Sequence, residues 1–175
     1  MDPLSVRAAR VDDVADMTEI YNHVIATSTA IYASQPSPLV DRRDWFKART
    51  GAGFPVLAAW RGGELVGYAS FAEFRGAWPG YLYSVEHSVY VRADCWRQGV
   101  GSALVRSLLP LAATMDKHVM IGGIDAANDG SLRLHERLGF QRVAHFREVG
   151  RKFGRWLDLV FMQRFIDAPG APRVH

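Results

Sequence analysis

The chain has 175 residues, of which 49% are hydrophobic and 22% charged, and its formal net charge is +3. This composition is ordinary for a soluble globular protein, and the lysines and arginines are too scattered to predict a nucleic-acid-binding surface. A single cysteine, Cys95, excludes an internal disulfide and a multi-cysteine metal site, so we expect no metal. No apolar run reaches membrane-spanning length and the first residues do not form a signal peptide, so we expect a cytoplasmic protein without membrane contacts.

The first part of the chain predicts a strand, two helices and a polar loop. A short strand covers Leu4–Ala8, an amphipathic helix begins at Val14, and a second helix covers Val40–Thr50. Between the helices, Thr27–Pro38 reads as a loop because Ser, Thr and proline interrupt the pattern. Tyr32 in this loop is a candidate wall of a substrate pocket, with surface packing or a subunit contact as the alternative.

The later elements predict a sheet covered by helices. Strands are expected at Phe54–Trp60, Leu65–Phe71, Ser84–Val91 and His118–Ile124, a long helix from Gly99 to about Lys117, a short helix at Ser131–Leu138, and a final antiparallel pair at Gln141–Glu148 and Trp156–Arg164. This order predicts one α+β domain over residues 1–166, with a mixed, mostly antiparallel central sheet and helices on both faces. Residues 167–175 contain two prolines and are predicted to be a loose tail.

A glycine turn joins the central strand to the long helix. Gly99 and Gly101 allow the backbone to approach a ligand closely, and the first amides of a helix have no internal acceptors. The segment Gln98–Ala103 therefore predicts a phosphate site. A Walker loop would need a lysine after Gly101, and a dinucleotide fingerprint would need a third glycine where Leu104 stands. The turn alone leaves the ligand open.

Several blocks together resemble the GNAT superfamily of acyl-CoA-dependent N-acetyltransferases. They are Val85–Val91, Gly99-Val100-Gly101, Asn128, Ser131, Leu134-His135-Glu136, Leu138-Gly139-Phe140 and Glu148–Leu159. The sequence looks closest to the branch of phosphinothricin and methionine sulfoximine acetyltransferases, also described as L-amino acid N-acyltransferases. The resemblance implies the GNAT fold, acetyl-CoA as cosubstrate and a homodimer. It departs from the superfamily at Trp96, where Gln or Arg is usual, and at His135, where many members carry a tyrosine proposed to protonate the leaving thiolate.

The resemblance also implies the roles of particular residues. Glu86 is the candidate general base, with solvent exposure or pairing to an arginine as the alternative, and His135 is a candidate acid or a helix hydrogen-bonding residue. Coenzyme binding falls on Val89, Tyr90, Val91, Arg97, Gln98, Gly99, Val100, Gly101, Ser102, Asn128 and Arg137. The alternative for Asn128 is a cap of the short helix near Ser131, and the alternative for Arg137 is a solvated helix residue. From the chemistry of the residues themselves, acceptor binding is expected at Arg75, Gly76, Ala77, Glu86, His87 and Ser88, with a surface salt bridge as the alternative role of Arg75. Arg75 suits a carboxylate or phosphinate because a guanidinium donates two parallel hydrogen bonds.

These assignments predict an N-acetyltransferase that moves an acetyl group from acetyl-CoA to an amino acid or analogue by direct attack in a ternary complex. Phosphinothricin, methionine sulfoximine and methionine sulfone are the expected acceptors. The alternatives are the same chemistry on a protein N-terminus, polyamine or other amine, and a non-catalytic acetyl-CoA-binding module. Arg75 with His87 argues against a polycationic acceptor. The presence of Glu86 argues against the binding module, and Trp96 leaves it open.

Overall fold

The computed structural model describes residues 2–166; Met1 and the predicted tail at 167–175 lie outside the described residues. One mixed sheet has the strand order β1-β2-β3-β4-β5-β7-β6. The strands are β1 Ser5–Ala8, β2 Val56–Arg61, β3 Glu64–Glu73, β4 Ser84–Val91, β5 Val119–Asp125, β6 Gln141–Lys152 and β7 Arg155–Phe165, and the helices are α1 Val14–Thr27, α2 Leu39–Gly51, α3 Val100–Thr114 and α4 Asp129–Arg137. The predicted α+β class and the order of elements are confirmed.

The two faces of the sheet carry separate hydrophobic clusters. On one face, Leu104 and Leu108 of α3 are fully buried against the sheet, each stabilising the fold by about 2–3 kcal/mol. On the other face, Met17 of α1 and Phe46 of α2 pack in a cluster with Tyr68 of β3. Helices therefore cover both faces, as the pattern predicts.

Helix α3 ends three residues earlier than predicted. Its last residue is Thr114, and Asp116 adopts a left-handed backbone with φ 56°. The Lys117 amide then donates to the Ala112 carbonyl oxygen at 3.0 Å, which closes the helix end. Two further leucines of this helix, Leu109 and Leu111, are only partly buried.

The sheet opens between β4 and β5, its one parallel pair. Pairing runs from Ser84 with Val119 to Glu86 with Ile121 and then stops. β4 stays paired with β3 as far as Val91, and β5 stays paired with β7 as far as Asp125. Beyond Glu86, the edge of β4 that faces β5 therefore has no strand partner within residues 2–166.

The hydrogen-bonding direction along β4 follows from one contact. The amide of Arg92, the residue after β4, donates to the Val66 carbonyl oxygen of β3 at 2.9 Å. Backbone groups alternate in direction along a strand, so the amides of Val89 and Val91 point to the opposite edge, toward the opening.

None of the helices within residues 2–166 combines the length and the apolar character that a membrane span requires.

Candidate active site

The turn before α3 offers free backbone donors. Gly99 precedes the helix with φ 83°, and the amides of Val100, Gly101 and Ser102 have no acceptor within residues 2–166. At Gly101 an added Cβ would lie 3.0 Å from Cδ1 of Leu134, so glycine allows α4 to approach the turn. Three free amides at a helix N-terminus form a suitable site for a phosphate group.

Side chains of neighbouring residues hold this turn in place. The indole Nε1 of Trp96 donates to the Val91 carbonyl oxygen at 2.9 Å, and the side-chain Nε2 of Gln98 donates to the Asp94 carbonyl oxygen at 2.8 Å. The guanidinium of Arg61 donates to the Gln98 side-chain oxygen. Arg97 adopts a left-handed backbone with φ 60° and its side chain is exposed. Trp96 thus fastens the turn to the end of β4.

Glu86 lies where β4 and β5 part, on the same face as α1 and α2. Its side chain is half-buried, and Oε1 lies 3.2 Å from the position that a Cβ would take at Gly123. The ring of Phe161 borders the same glycine. Burial raises the pKa of the Glu86 carboxyl above its ordinary value, and no arginine pairs with it within residues 2–166. A half-buried, unpaired carboxylate is suited to accept a proton.

A row of aromatic rings connects the turn that carries Arg75 to the surroundings of Glu86. Phe74 contacts Tyr81 with a ring-centroid distance of 5.8 Å and Phe161 with a distance of 6.1 Å. The guanidinium carbon of Arg75 lies 5.5 Å from the Tyr81 ring centre, and Arg75 forms no ion pair within residues 2–166. Gly76, Ala77 and Ser88 are exposed. The turn therefore presents a free cation on an aromatic wall.

The loop that contains Tyr32 packs against β6 and β7. The hydroxyl of Tyr32 donates to the Asp158 carbonyl oxygen at 3.0 Å, and its ring lies against Gly150. Burial, with added repulsion from nearby carboxylates, raises the pKa of Tyr32 to about 12. The buried ammonium of Lys152 donates to the carbonyl oxygens of Ser28 and Ile31, each at 2.7 Å. These bonds fix the loop.

The histidines expected at the site are both buried. His87 is 5% exposed and His135 is 1% exposed, and their Nε2 atoms lie 3.1 Å apart. The other ring nitrogen of His135 bonds the Ser131 backbone carbonyl. Both nitrogens of His135 are therefore engaged inside the protein, away from the surface of the opening.

The remaining predicted residues fall in two places. Asn128 caps α4, with its Oδ1 accepting from the Ser131 amide at 3.0 Å, and its side-chain NH₂ has no partner within residues 2–166. Arg137 lies nine residues later, about 13 Å along the helix. There it lines a separate cavity with Leu138, Gly139, Gln141, Gln163, Arg164 and Phe165. The structure does not bring Arg137 together with the turn, β4 and Asn128.

Some residues around the opening escaped the sequence analysis. Phe161 and the pair Gly122-Gly123 of β5 border it, and Lys152 anchors the loop that contains Tyr32. Two successive glycines inside a strand weaken it and indicate that other groups approach closely. This pair was therefore the sequence signal that could have placed β5 at the site. No sequence pattern distinguishes Lys152 from a surface lysine.

Among residues 2–166, no three His, Cys, Asp or Glu side chains are grouped so that they could hold a metal ion.

An opened parallel pair, free amides at the start of the next helix and a carboxylate at the apex define an acyl-CoA N-acyltransferase site. A crystal structure of a phosphinothricin acetyltransferase from Sinorhizobium meliloti in complex with acetyl-CoA superimposes with a TM-score of 0.90 and 32% identity, covering 93% of this chain and 88% of that one. The model of the acetyltransferase (GNAT) family matches residues 17–140. This chain belongs to the GNAT family and is an acetyl-CoA-dependent N-acetyltransferase.

Two relatives of known name align over almost the whole chain. The L-amino acid N-acyltransferase of Escherichia coli (strain K12) is 45% identical over 169 residues, 97% of this chain and 98% of its own. The L-methionine sulfoximine/L-methionine sulfone acetyltransferase of Salmonella typhimurium is 43% identical over 169 residues, with the same two coverages. The predicted branch of the family is confirmed.

Proposed function

We propose that this enzyme acetylates the amino group of a small amino acid or analogue, with methionine sulfoximine, methionine sulfone and phosphinothricin among its acceptors. The observation that carries the proposal is the half-buried, unpaired carboxylate of Glu86 at the apex of the opening between β4 and β5. The names of the aligned relatives supply the class of acceptor.

Acetyl-CoA supplies the thioester carbonyl that the amine attacks. Its pyrophosphate suits the free amides of Val100, Gly101 and Ser102, with the exposed Arg97 and Gln98 beside them. Its pantetheine arm suits the unpaired edge of β4, where Val89 and Val91 present amides and Tyr90 lies between them. The free NH₂ of Asn128 is a further donor for an amide carbonyl of that arm. Arg137 has no part in this arrangement.

Glu86 serves as the general base, because an aliphatic ammonium must lose a proton before its nitrogen can attack. The ammonium gives one proton to Glu86, which passes it to water. The C–N bond then forms, the C–S bond breaks, and the second nitrogen proton ends on the departing sulfur. The amide of Val89 or Val91 is the donor available to the carbonyl oxygen, where negative charge develops.

Arg75 binds the carboxylate or phosphinate of the acceptor. Its guanidinium is free of any ion pair within residues 2–166, and its two parallel N–H groups suit the paired oxygens of either anion. Gly76, Ala77 and Ser88 border the acceptor, and His87 supports the strand beneath it. Tyr32 forms the opposite wall, held by Lys152. A polyamine would need acidic side chains around it, and these groups are not acidic.

The functional form is a cytoplasmic homodimer. Three apolar side chains near the β6–β7 turn are more than half exposed: Val149 at 54%, Phe153 at 59% and Trp156 at 60%. Covering them with a second copy removes apolar surface from water. The free, buried thiol of Cys95 suits a reducing compartment. Sedimentation of wild type beside Trp156→Lys measures the oligomeric state, and a wild-type monomer contradicts this form.

A thiol-release assay with acetyl-CoA tests the function. The acceptors are methionine sulfone, methionine sulfoximine, phosphinothricin, spermidine and a short peptide. We expect turnover with the amino-acid analogues alone, a loss of kcat in Glu86→Gln, and mainly a raised KM for the acceptor in Arg75→Lys. Turnover confined to spermidine or the peptide overturns the acceptor class. Acetyl-CoA binding without turnover on any acceptor favours the binding module.

A further inference from the structure

Two buried histidines meet where β4 and β5 part. His87 follows Glu86 in β4, His135 lies in α4, and their Nε2 atoms are 3.1 Å apart with ring planes inclined by 23°. Both rings lie over Gly122, where an added Cβ would be 2.9 Å from Nε2 of His87 and 3.5 Å from Nε2 of His135. Phe140 packs against both rings, with centroid distances of 5.5 Å to His87 and 5.2 Å to His135. The space for this pair exists because position 122 has no side chain.

The hydrogen bonds of His135 determine which ring nitrogens carry protons. Its Nδ1 lies 2.7 Å from the backbone carbonyl oxygen of Ser131, which can only accept, so Nδ1 carries the proton. A neutral imidazole has one N–H, so Nε2 of His135 is an acceptor and Nε2 of His87 donates to it. Burial lowers the pKa of both rings, that of His87 to about 3, so both are neutral near pH 7.

This arrangement leaves His135 without a proton to deliver. Its single N–H is engaged by the Ser131 carbonyl, and only 1% of the residue is exposed. His135 instead connects α4 to β4 through its hydrogen bond with His87. Past Glu86, β4 has β3 on one edge and the opening on the other, and His87 is the β4 side chain that hydrogen-bonds to α4.

We propose that the His87–His135 hydrogen bond fixes the spacing between β4 and α4 and thereby the width of the opening, so that His135 is a positioning residue that acts through His87. The inference rests on the proposed function, because it concerns the opening assigned to the thioester. It replaces the expected role of His135 as the acid. The neighbouring Glu86 depends on the same geometry, because it precedes His87 directly in β4.

Nitrogen NMR of the ¹⁵N-labelled full chain tests the hydrogen bond without any activity. We expect His87 as the Nε2–H tautomer, His135 as the Nδ1–H tautomer, and a scalar coupling between their Nε2 atoms. An Nε2–H tautomer at His135, or a His135 ring that titrates like a free histidine, overturns the proposal. If the NMR result is as expected but no acceptor is turned over, the proposed function fails while the hydrogen bond stands.

Two substitutions at His135 separate positioning from proton donation. In His135→Leu the buried Nε2–H of His87 loses its acceptor, and we expect kcat to fall about tenfold or more while KM for acetyl-CoA changes less than about threefold. His135→Gln places an amide oxygen near the former Nε2, and we expect it to recover kcat to within about threefold of wild type. A Gln variant as slow as the Leu variant, or a Leu variant as fast as wild type, overturns the positioning role.

A matched control uses Ser131, whose backbone carbonyl rather than its hydroxyl makes the short bond to His135. Ser131→Ala keeps that carbonyl, so we expect both tautomers and kcat to remain as in wild type. If His135→Leu does not fold, the NMR tautomers of wild type and the kcat of His135→Gln still decide the proposal.

Discussion

The hydroxyl of Tyr32 donates a hydrogen bond to the backbone carbonyl oxygen of Asp158, 126 residues further along the chain, at 3.0 Å. The same Asp158 carbonyl accepts from the amide of Ala126 at 2.9 Å. One oxygen therefore joins the loop after α1 to the ends of β5 and β7. This contact fixes the loop against β5 and β7, with Lys152 as its second anchor.

We predict that Lys152→Met releases this loop. The buried ammonium satisfies two carbonyl oxygens at 2.7 Å, and its removal leaves both without a donor. We expect KM for the amine acceptor to rise about fivefold or more, KM for acetyl-CoA to stay unchanged, and trypsin or chymotrypsin to cut the loop faster. Steady-state kinetics and limited proteolysis measure these effects. The control is the exposed Lys47→Met on α2, and equal KM values in the two variants would contradict the prediction.

We predict that Gly123→Ala impairs catalysis more than folding. The new Cβ would lie 3.1 Å from Cε1 of Phe161 and 3.2 Å from Oε1 of Glu86, so the ring or the carboxylate must shift by a few tenths of an ångström. Because small displacements of a catalytic group are costly, we expect kcat to fall about tenfold. Gly51→Ala is the control, since a Cβ there meets nothing within 4 Å. An unchanged kcat in Gly123→Ala would contradict the prediction and would mean that the Phe161 ring, rather than the Glu86 carboxylate, moves to make room.

Sequence patterns predicted much of this fold because its elements are locally encoded. The apolar spacing from Val14 specifies a helix, and the glycine before α3 specifies a helix start, without reference to distant residues. The predicted end of α3 was wrong by three residues, because the left-handed backbone that closes the helix falls on Asp116 and not on a glycine that the sequence would have revealed. Local propensity thus fixed the identity of elements better than their ends.

The contacts inside the site were predictable only in part. Glu86 and the turn came from a contiguous block of sequence, whereas the bond between His87 and His135 joins residues 48 positions apart. Lys152 is a further case, because its burial depends on a loop more than 120 residues earlier. Such pairs are created by tertiary packing, and a single sequence carries no local signal for them.

We predict that Trp96 supports acetyl-CoA binding through its indole N–H. The bond from Nε1 to the Val91 carbonyl oxygen fastens the phosphate turn to β4 at 2.9 Å. Trp96→Phe removes that donor and keeps an aromatic ring, so we expect KM for acetyl-CoA to rise about three- to tenfold with little change in kcat. Trp96→Gln carries an amide donor and should bind acetyl-CoA better than Trp96→Phe. Initial rates at varied acetyl-CoA measure both, and equal KM values for wild type and Trp96→Phe would refute the role.

We predict an acidic limb in the pH dependence of kcat/KM that belongs to Glu86. Burial raises the pKa of this carboxyl in the free enzyme, and only its ionised form accepts a proton, so kcat/KM should fall with a midpoint above the ordinary value for Glu as the pH is lowered. Rates of wild type and Glu86→Gln from pH 4 to 9 measure it. We expect the Gln variant to be slower and to lack this limb. Its persistence in Glu86→Gln would assign the titration to another group.

We predict that the His87–His135 pair makes the fold sensitive to acid. The pKa of His87 is about 3 in the folded protein and about 6.5 in an unfolded chain, so between these values the unfolded chain binds more protons. The stabilising contribution is therefore complete above pH 6.5. As the pH falls toward 3 it is lost, at about 1.4 kcal/mol of unfolding free energy per pH unit for this group. His135 adds a loss of the same sign, because burial also lowers its pKa.

Urea unfolding at pH 7, 6 and 5 measures this dependence. We compare wild type with His87→Leu, whose free energy of unfolding should fall less steeply below pH 6.5 because it lacks one titrating ring, whatever its absolute stability. The control is His23→Leu, since His23 is exposed on α1 and its removal should leave the steep wild-type slope in place. Parallel slopes for wild type and His87→Leu would mean that His87 gains its proton equally in both states, which is incompatible with a buried neutral ring.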